Sequence, residues 1–133
     1  MMKDLTITGI GLAIWSGLSY LLGGRDVPLE SFAILVLIDL LTGVYAASVQ
    51  HTVSARVLVD GFIRKMFLFL IISMAVMIDR STGDAFHLRT FAIGVMALGE
   101  GVSICENLIK AGLQDILPKP LVDKLITLSQ KKE

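Results

Sequence analysis

Hydrophobic and polar positions alternate in blocks along this chain. Four long apolar stretches are separated by short clusters of turn-forming and charged residues. The first runs from about Leu5 to Leu22 and ends at Gly23, Gly24, Arg25, Asp26 and Pro28, a polar turn. The second occupies about 29–49, the third about 61–79 and the fourth about 88–110. Each approaches the ~20 residues that a helix needs to cross the hydrocarbon layer. The pattern predicts an all-α integral membrane protein with four transmembrane helices, followed by a short amphipathic C-terminal helix in a cytoplasmic tail at 113–133. The whole chain, 1–133, reads as a single membrane domain. A three-span form, with one segment lying at the interface, is the alternative, because the fourth stretch has only Thr90 to Gly99 before Glu100. A secretory signal at the N-terminus competes with a retained first helix, but Asp4 weakens its positive start and three further apolar stretches follow.

Polar residues inside the spans fall on faces. With about 100° per residue, Arg89, Met96, Glu100, Ser103, Asn107 and Lys110 share a sector roughly 90° wide, bordered by Glu106. An ionised group facing lipid costs at least ~3 kcal/mol on insertion scales, so this stripe must meet partners or line a polar path. In the second stretch Asp39 lies near the middle, with Thr42, Gly43, Ala46 and Gln50 on its face. Two roles fit Asp39. One is a neutral carboxyl bonded through Thr42 or Ser103 that glues helices together; the other is a pore-lining or switching acid. Gly9, Ala13 and Gly17 form a small-xxx-small row, a candidate for helix packing. Arg64 and Lys65 shorten the uncharged part of the third stretch, so both are expected to snorkel to headgroups, and Lys131 and Lys132 of the tail are expected to contact them too. Ser54 reads as a helix cap, Gly112 as a C-terminal cap, and Pro118 and Pro120 as a break.

Composition agrees with the pattern. Hydrophobic residues make up 54% of the chain and mean hydropathy is +0.75, above the usual soluble range. Lys and Arg number 12 and Asp and Glu 12, so nothing points to nucleic acid. The single Cys105 has no partner for a disulfide or a metal, His51 and His87 read as solvated loop residues, and no cofactor is implied. No Ser/His, His/Glu or Cys/His constellation exists, so an enzyme is not expected. Counting basic residues over four spans puts Lys3, Arg56, Arg64, Lys65, Lys110, Lys119, Lys124, Lys131 and Lys132 on one side and Arg25, Arg80 and Arg89 on the other. By the positive-inside rule both termini are cytoplasmic.

The run IDLLTGVYAA (Ile38 to Ala47), the basic start and apolar body of the third stretch ending at Asp79, and GEGVSICENLIKAGL (Gly99 to Leu113) before a Pro- and Lys-containing tail closely resemble the phage lysis and toxin-secretion holin family. The match covers roughly Leu35 to Lys132. Cys105 stands where a Leu-like residue is expected. The resemblance implies a multi-pass protein of the bacterial cytoplasmic membrane that forms homo-oligomers and permeabilises the membrane at a set time. An endolysin, or a toxin lacking a signal peptide, would then be released without stable binding. It carries Asp39, Thr42 and Gly43, and Glu100, Ser103, Glu106 and Asn107, as motif positions and candidates for a pore or oligomer interface, and carries no catalytic residue. Two rivals are a small proton-coupled four-helix transporter and a membrane interaction subunit without a pore. Against the transporter, no inverted repeat or pair of broken spans is visible.

Overall fold

The computed structural model describes residues 1–131; Lys132, assigned above to headgroup contact, lies outside them. The chain is all helical: α1 (Met2–Leu21), α2 (Val27–Val49), α3 (Ala55–Ser81), α4 (Leu88–Lys110), a single 3-10 turn (Gln114–Ile116) and α5 (Lys119–Gln130). Helix α3 starts earlier than the charge pattern suggested, because Ser54 caps it by accepting from the Val57 N–H at 3.2 Å. Its other end extends past Asp79 to Ser81. Asp26 caps α2 in the same way as Ser54 caps α3, accepting from the Leu29 N–H at 3.1 Å.

Helices α1 to α4 each end on a residue with left-handed backbone: Gly23 (φ 78), His51 (φ 56), Gly83 (φ 63) and Gly112 (φ 76). The next N–H then reaches back to a carbonyl of the final turn, as Gly24 does to Ser19 at 2.7 Å and Thr52 to Ala47 at 2.9 Å. His51 carries a side chain where the other three helices use glycine.

Helices α2, α3 and α4 are the ones long and apolar enough to cross a membrane, with hydropathies of 2.1, 2.0 and 1.4. Helix α4 lies between the other two and packs on both, more extensively on α2. One end of the bundle carries the α1–α2 and α3–α4 turns, called here the loop side. The other carries the α2–α3 turn and α5, called here the tail side. Toward the loop side the three helices close over a core of Leu29, Phe32, Val36, Ile72, Val76 and Ile93. Phe32 and Ile72 are fully buried, and the Phe32 ring meets Phe69 at 5.4 Å between centroids, tilted by 59°. Lipid is as apolar as these side chains, so such contacts hold helices together by close packing and not by escape from water.

Helix α1 has no buried residue. Among the described residues nothing packs on the row proposed for helix contact: a Cβ at Gly9 or Gly17 would meet no neighbour within 4 Å and Ala13 is exposed. Near the C-terminal end of α1 the Arg80 guanidinium lies 3.9 Å from the centre of the Tyr20 ring. Helix α5 turns back along α4, and Leu125 lies over Gly101, 3.6 Å from where a Cβ would stand. Part of its apolar face is thus spent on α4, while Lys119, Lys124 and Lys131 remain exposed.

Candidate functional site

The polar stripes of α2 and α4 do meet, and α3 supplies what lies between them. Asp39 is residue 13 of 23 in α2 and Glu100 is residue 13 of 23 in α4, so both stand at mid-height of their helices. The Lys65 ammonium lies 2.6 Å from Asp39 Oδ2 and donates to Glu100 Oε1 at 2.8 Å and Oε2 at 2.6 Å. All three side chains are nearly buried, with 12% of Lys65, 8% of Asp39 and 7% of Glu100 exposed. Asn107, two turns below Glu100 on α4, donates from Nδ2 to Asp39 Oδ1 at 2.9 Å, to the Asp39 carbonyl at 3.2 Å and to Thr42 Oγ1 at 3.2 Å. The amide packs close to Gly43, where a Cβ would stand in ordinary contact, 3.4 Å from Asn107 Nδ2. Among the described residues no buried side-chain nitrogen or oxygen lacks a hydrogen-bond partner.

Lys65 corrects the expectation that it snorkels to a headgroup. With α3 beginning at Ala55, Lys65 is ten residues inside the helix, level with the two acids and pulled inward by them. Arg64, its neighbour, makes no ion pair with the two acids and stays exposed on the wall of the cleft below the cluster. The Asp39 carboxylate is likewise not bonded through Thr42 or Ser103, since its partners are Lys65 and Asn107, while the Thr42 hydroxyl donates to the Ile38 carbonyl at 2.9 Å and to the Asp39 carbonyl at 3.1 Å. Ser103 and Glu106 line a cleft of about 680 Å³ below the cluster, with Ala47 on one wall and Val57 on the other. Glu106 is exposed at its edge. At the tail side the Gln50 amide donates to the Lys110 carbonyl at 3.4 Å, joining the ends of α2 and α4.

A second polar cluster, on the loop side, went unread in the sequence. Helix α4 has no capping side chain of its own. Instead Asp79, near the end of α3, accepts from the Leu88 and Arg89 N–H groups at 2.8 Å each, placing a carboxylate on a helix N-terminus. The Arg89 side chain then reaches across to the α1–α2 turn. It donates to both oxygens of Asp26 at 2.7 and 3.0 Å, to the Leu22 carbonyl at 2.7 Å and to the Gly24 carbonyl at 3.1 Å. The Arg89 guanidinium holds the Asp26 carboxyl below its usual range, with the Leu29 N–H adding to the effect and burial opposing it. Gly23 leaves space for the arginine, since a Cβ there would fall 2.6 Å from Arg89 Nε. The sequence sign of this network is the charge of Arg89, which helical spacing groups with the stripe of Glu100.

His51 and His87 sit in exposed turns, Cys105 is a buried free thiol, and no metal-binding group exists among the described residues. Apolar helices wrapped around a buried ion cluster define a multi-pass helical membrane protein with a polar interior. The bacteriophage holin family model matches residues 16–130, beginning in the last turns of α1, and the chain belongs to that family. It is 34% identical to a probable holin of Bacillus phage phi105 over 103 residues, 77% of this chain and 74% of that protein. A Bacillus subtilis protein named as uncharacterized YqxH is 32% identical, covering 86% and 79% of the two chains. An uncharacterized 14.9 kDa protein of Clostridium perfringens is 27% identical, covering 86% of each. No solved structure matches the chain. Family membership supports a holin role and points to a membrane protein that works without catalysis.

Proposed function

We propose that this chain accumulates in the bacterial cytoplasmic membrane as one membrane domain, associates with copies of itself and opens the membrane at a set time, so that an endolysin reaches the cell wall. In this reading α1 serves as a fourth span and both termini are cytoplasmic. The observation that carries it is the Asp39–Lys65–Glu100 cluster at the mid-height of three apolar helices. At low density each chain gathers its interior charges into its own cluster, so monomers diffuse in lipid without turning an ion toward it. At high density the same groups exchange partners between chains, and the cleft lined by Ser103 and Glu106, closed at its loop-side end within each single chain, becomes part of a continuous wetted wall. Two packings of similar energy, one closed within a chain and one shared, give the steep response to density or membrane potential that a timed event needs.

The test is induced expression in a bacterium with and without a cytoplasmic endolysin, following culture density together with a potential-sensitive dye. The proposal expects abrupt depolarisation at a reproducible time, and rapid lysis only when the endolysin is present. Continued growth with an intact potential, despite abundant inserted protein, would overturn it.

A further inference from the structure

The cleft and the core divide the bundle at the level of the ion cluster. On the tail side, residues from all three helices line the cleft, from Ala47, Val57 and Lys110 near the helix ends up to Asp39, Lys65 and Glu100 at mid-height. On the loop side the same helices meet in the dry cluster of Phe32, Val36, Ile72 and Ile93. The ion cluster is therefore the end wall of a pit open to one side. Its size gives room for on the order of 20 waters at ~30 Å³ each. Charge argues that water enters. Two carboxyls share one ammonium, and a site with more acids than cations is held at lower cost where water reaches it than where it is dry.

We infer that this cleft is a water-filled vestibule that admits small cationic solutes from the tail side to the buried cluster and is sealed from the loop side by the Phe32 core. Its sign follows from every charged group that faces it. Helix α2 contributes Asp39; α3 contributes Asp60, Arg64 and Lys65; α4 contributes Glu100, Glu106 and Lys110. Carboxyls outnumber cations by one, and the excess lies at the closed end, where Asp39 and Glu100 flank a single lysine. The Arg56 guanidinium, 3.9 Å from Asp60 at the mouth, is almost fully exposed and is screened by water there. This vestibule belongs to the single chain in an intact membrane and does not require the chains to assemble, so it stands or falls apart from the timing of lysis.

The test uses thiol modification in sealed membrane vesicles, right-side-out and inverted, prepared before any permeabilisation. Cys105→Ser removes the chain's one cysteine, and single reporters are then added: Ser103→Cys and Ala47→Cys in the cleft, Val36→Cys in the core, and Asp123→Cys on exposed α5 to show which face is outward. The probes are membrane-impermeant methanethiosulfonates, one cationic and one anionic. The vestibule predicts that both cleft reporters react only in the orientation that labels Asp123→Cys, that the cationic probe reacts faster than the anionic one, and that Val36→Cys reacts in neither orientation until detergent unfolds the protein. Reaction of the cleft reporters from the opposite face, or from neither face when both react after unfolding, overturns the inference. So does labelling of Val36→Cys in intact vesicles, and an anionic probe that matches the cationic one overturns the charge assignment.

Discussion

Replacing Lys65 with methionine is the perturbation to which the ion cluster should be most sensitive. Methionine keeps the unbranched apolar stem and removes the ammonium that stands 2.6 Å from both Asp39 Oδ2 and Glu100 Oε2. Removing one partner of a buried ion pair costs about 3–5 kcal/mol, because the other charge is left uncompensated. Here two carboxyls are left facing each other, and like charges ~5 Å apart repel by about 3 kcal/mol at an effective dielectric constant of 20. The two routes give the same size of effect. Glu100→Gln acts differently, since it leaves Asp39 and Lys65 as a one-to-one pair and its amide oxygen still accepts from the ammonium. Its cost should be about 1.5–3 kcal/mol at most, the worth of a hydrogen bond to a charged group. Reversible unfolding of the purified protein in mixed micelles, followed by helical circular dichroism as denaturing detergent is added, ranks the variants. The expected order places Lys65→Met well below Glu100→Gln, with the fully neutral combination of Lys65→Met, Asp39→Asn and Glu100→Gln recovering most of the loss. Glu100→Gln at least as damaging as Lys65→Met would refute the reasoning, because the lysine would then not be what neutralises the acids.

Three further outcomes follow from the turns and the loop-side network. Arg89→Met removes four hydrogen bonds to the α1–α2 turn and should cost about 1–3 kcal/mol, seen as faster protease cleavage between Gly23 and Asp26; Gly23→Ala should mimic it, since its methyl would collide with Arg89. The Asp26 carboxyl is held below its usual range by Arg89, so its contribution to stability is complete above the unfolded value of ~3.9 and is lost as pH falls below that through the folded value. A pH titration of micellar unfolding should therefore show an acid-side loss that Asp26→Asn reduces. His51→Gly should stabilise the α2 terminus by about 0.5–1 kcal/mol, because a side chain there occupies a left-handed backbone that glycine adopts freely, and the same unfolding assay reads it.

Hydropathy made α2, α3 and α4 legible, and period-3.6 spacing put Asp39, Thr42 and Gly43 on one face of α2 and Glu100 and Asn107 on one face of α4; that these two faces meet is read from the structure. Lys65 is misplaced by the sequence for a physical reason: a lysine beside an arginine near the start of an apolar run reads as an interfacial anchor unless the helix is known to begin more than a turn earlier, at Ala55. The Ser54 cap was the available sign, and two mid-span acids without a cation were the reason to follow it. Asp79 and Arg89 could not be read locally. Each acts on backbone groups of another element, and sequence spacing does not report which turn an arginine reaches across. Helix α1 was legible as a helix, but its Gly9 and Gly17 row has no partner in the chain, and a small-residue pattern does not name what covers it.

In the proposed function the buried acids set when the membrane opens. Timing the loss of membrane potential after induction of the parent protein, Asp39→Asn and Glu100→Gln at matched membrane abundance tests this most directly. Each substitution should shift the time of depolarisation, since each changes the balance between charges closed within a chain and charges shared between chains. An unchanged time for both variants would contradict it and would leave Asp39 and Glu100 as structural ties alone.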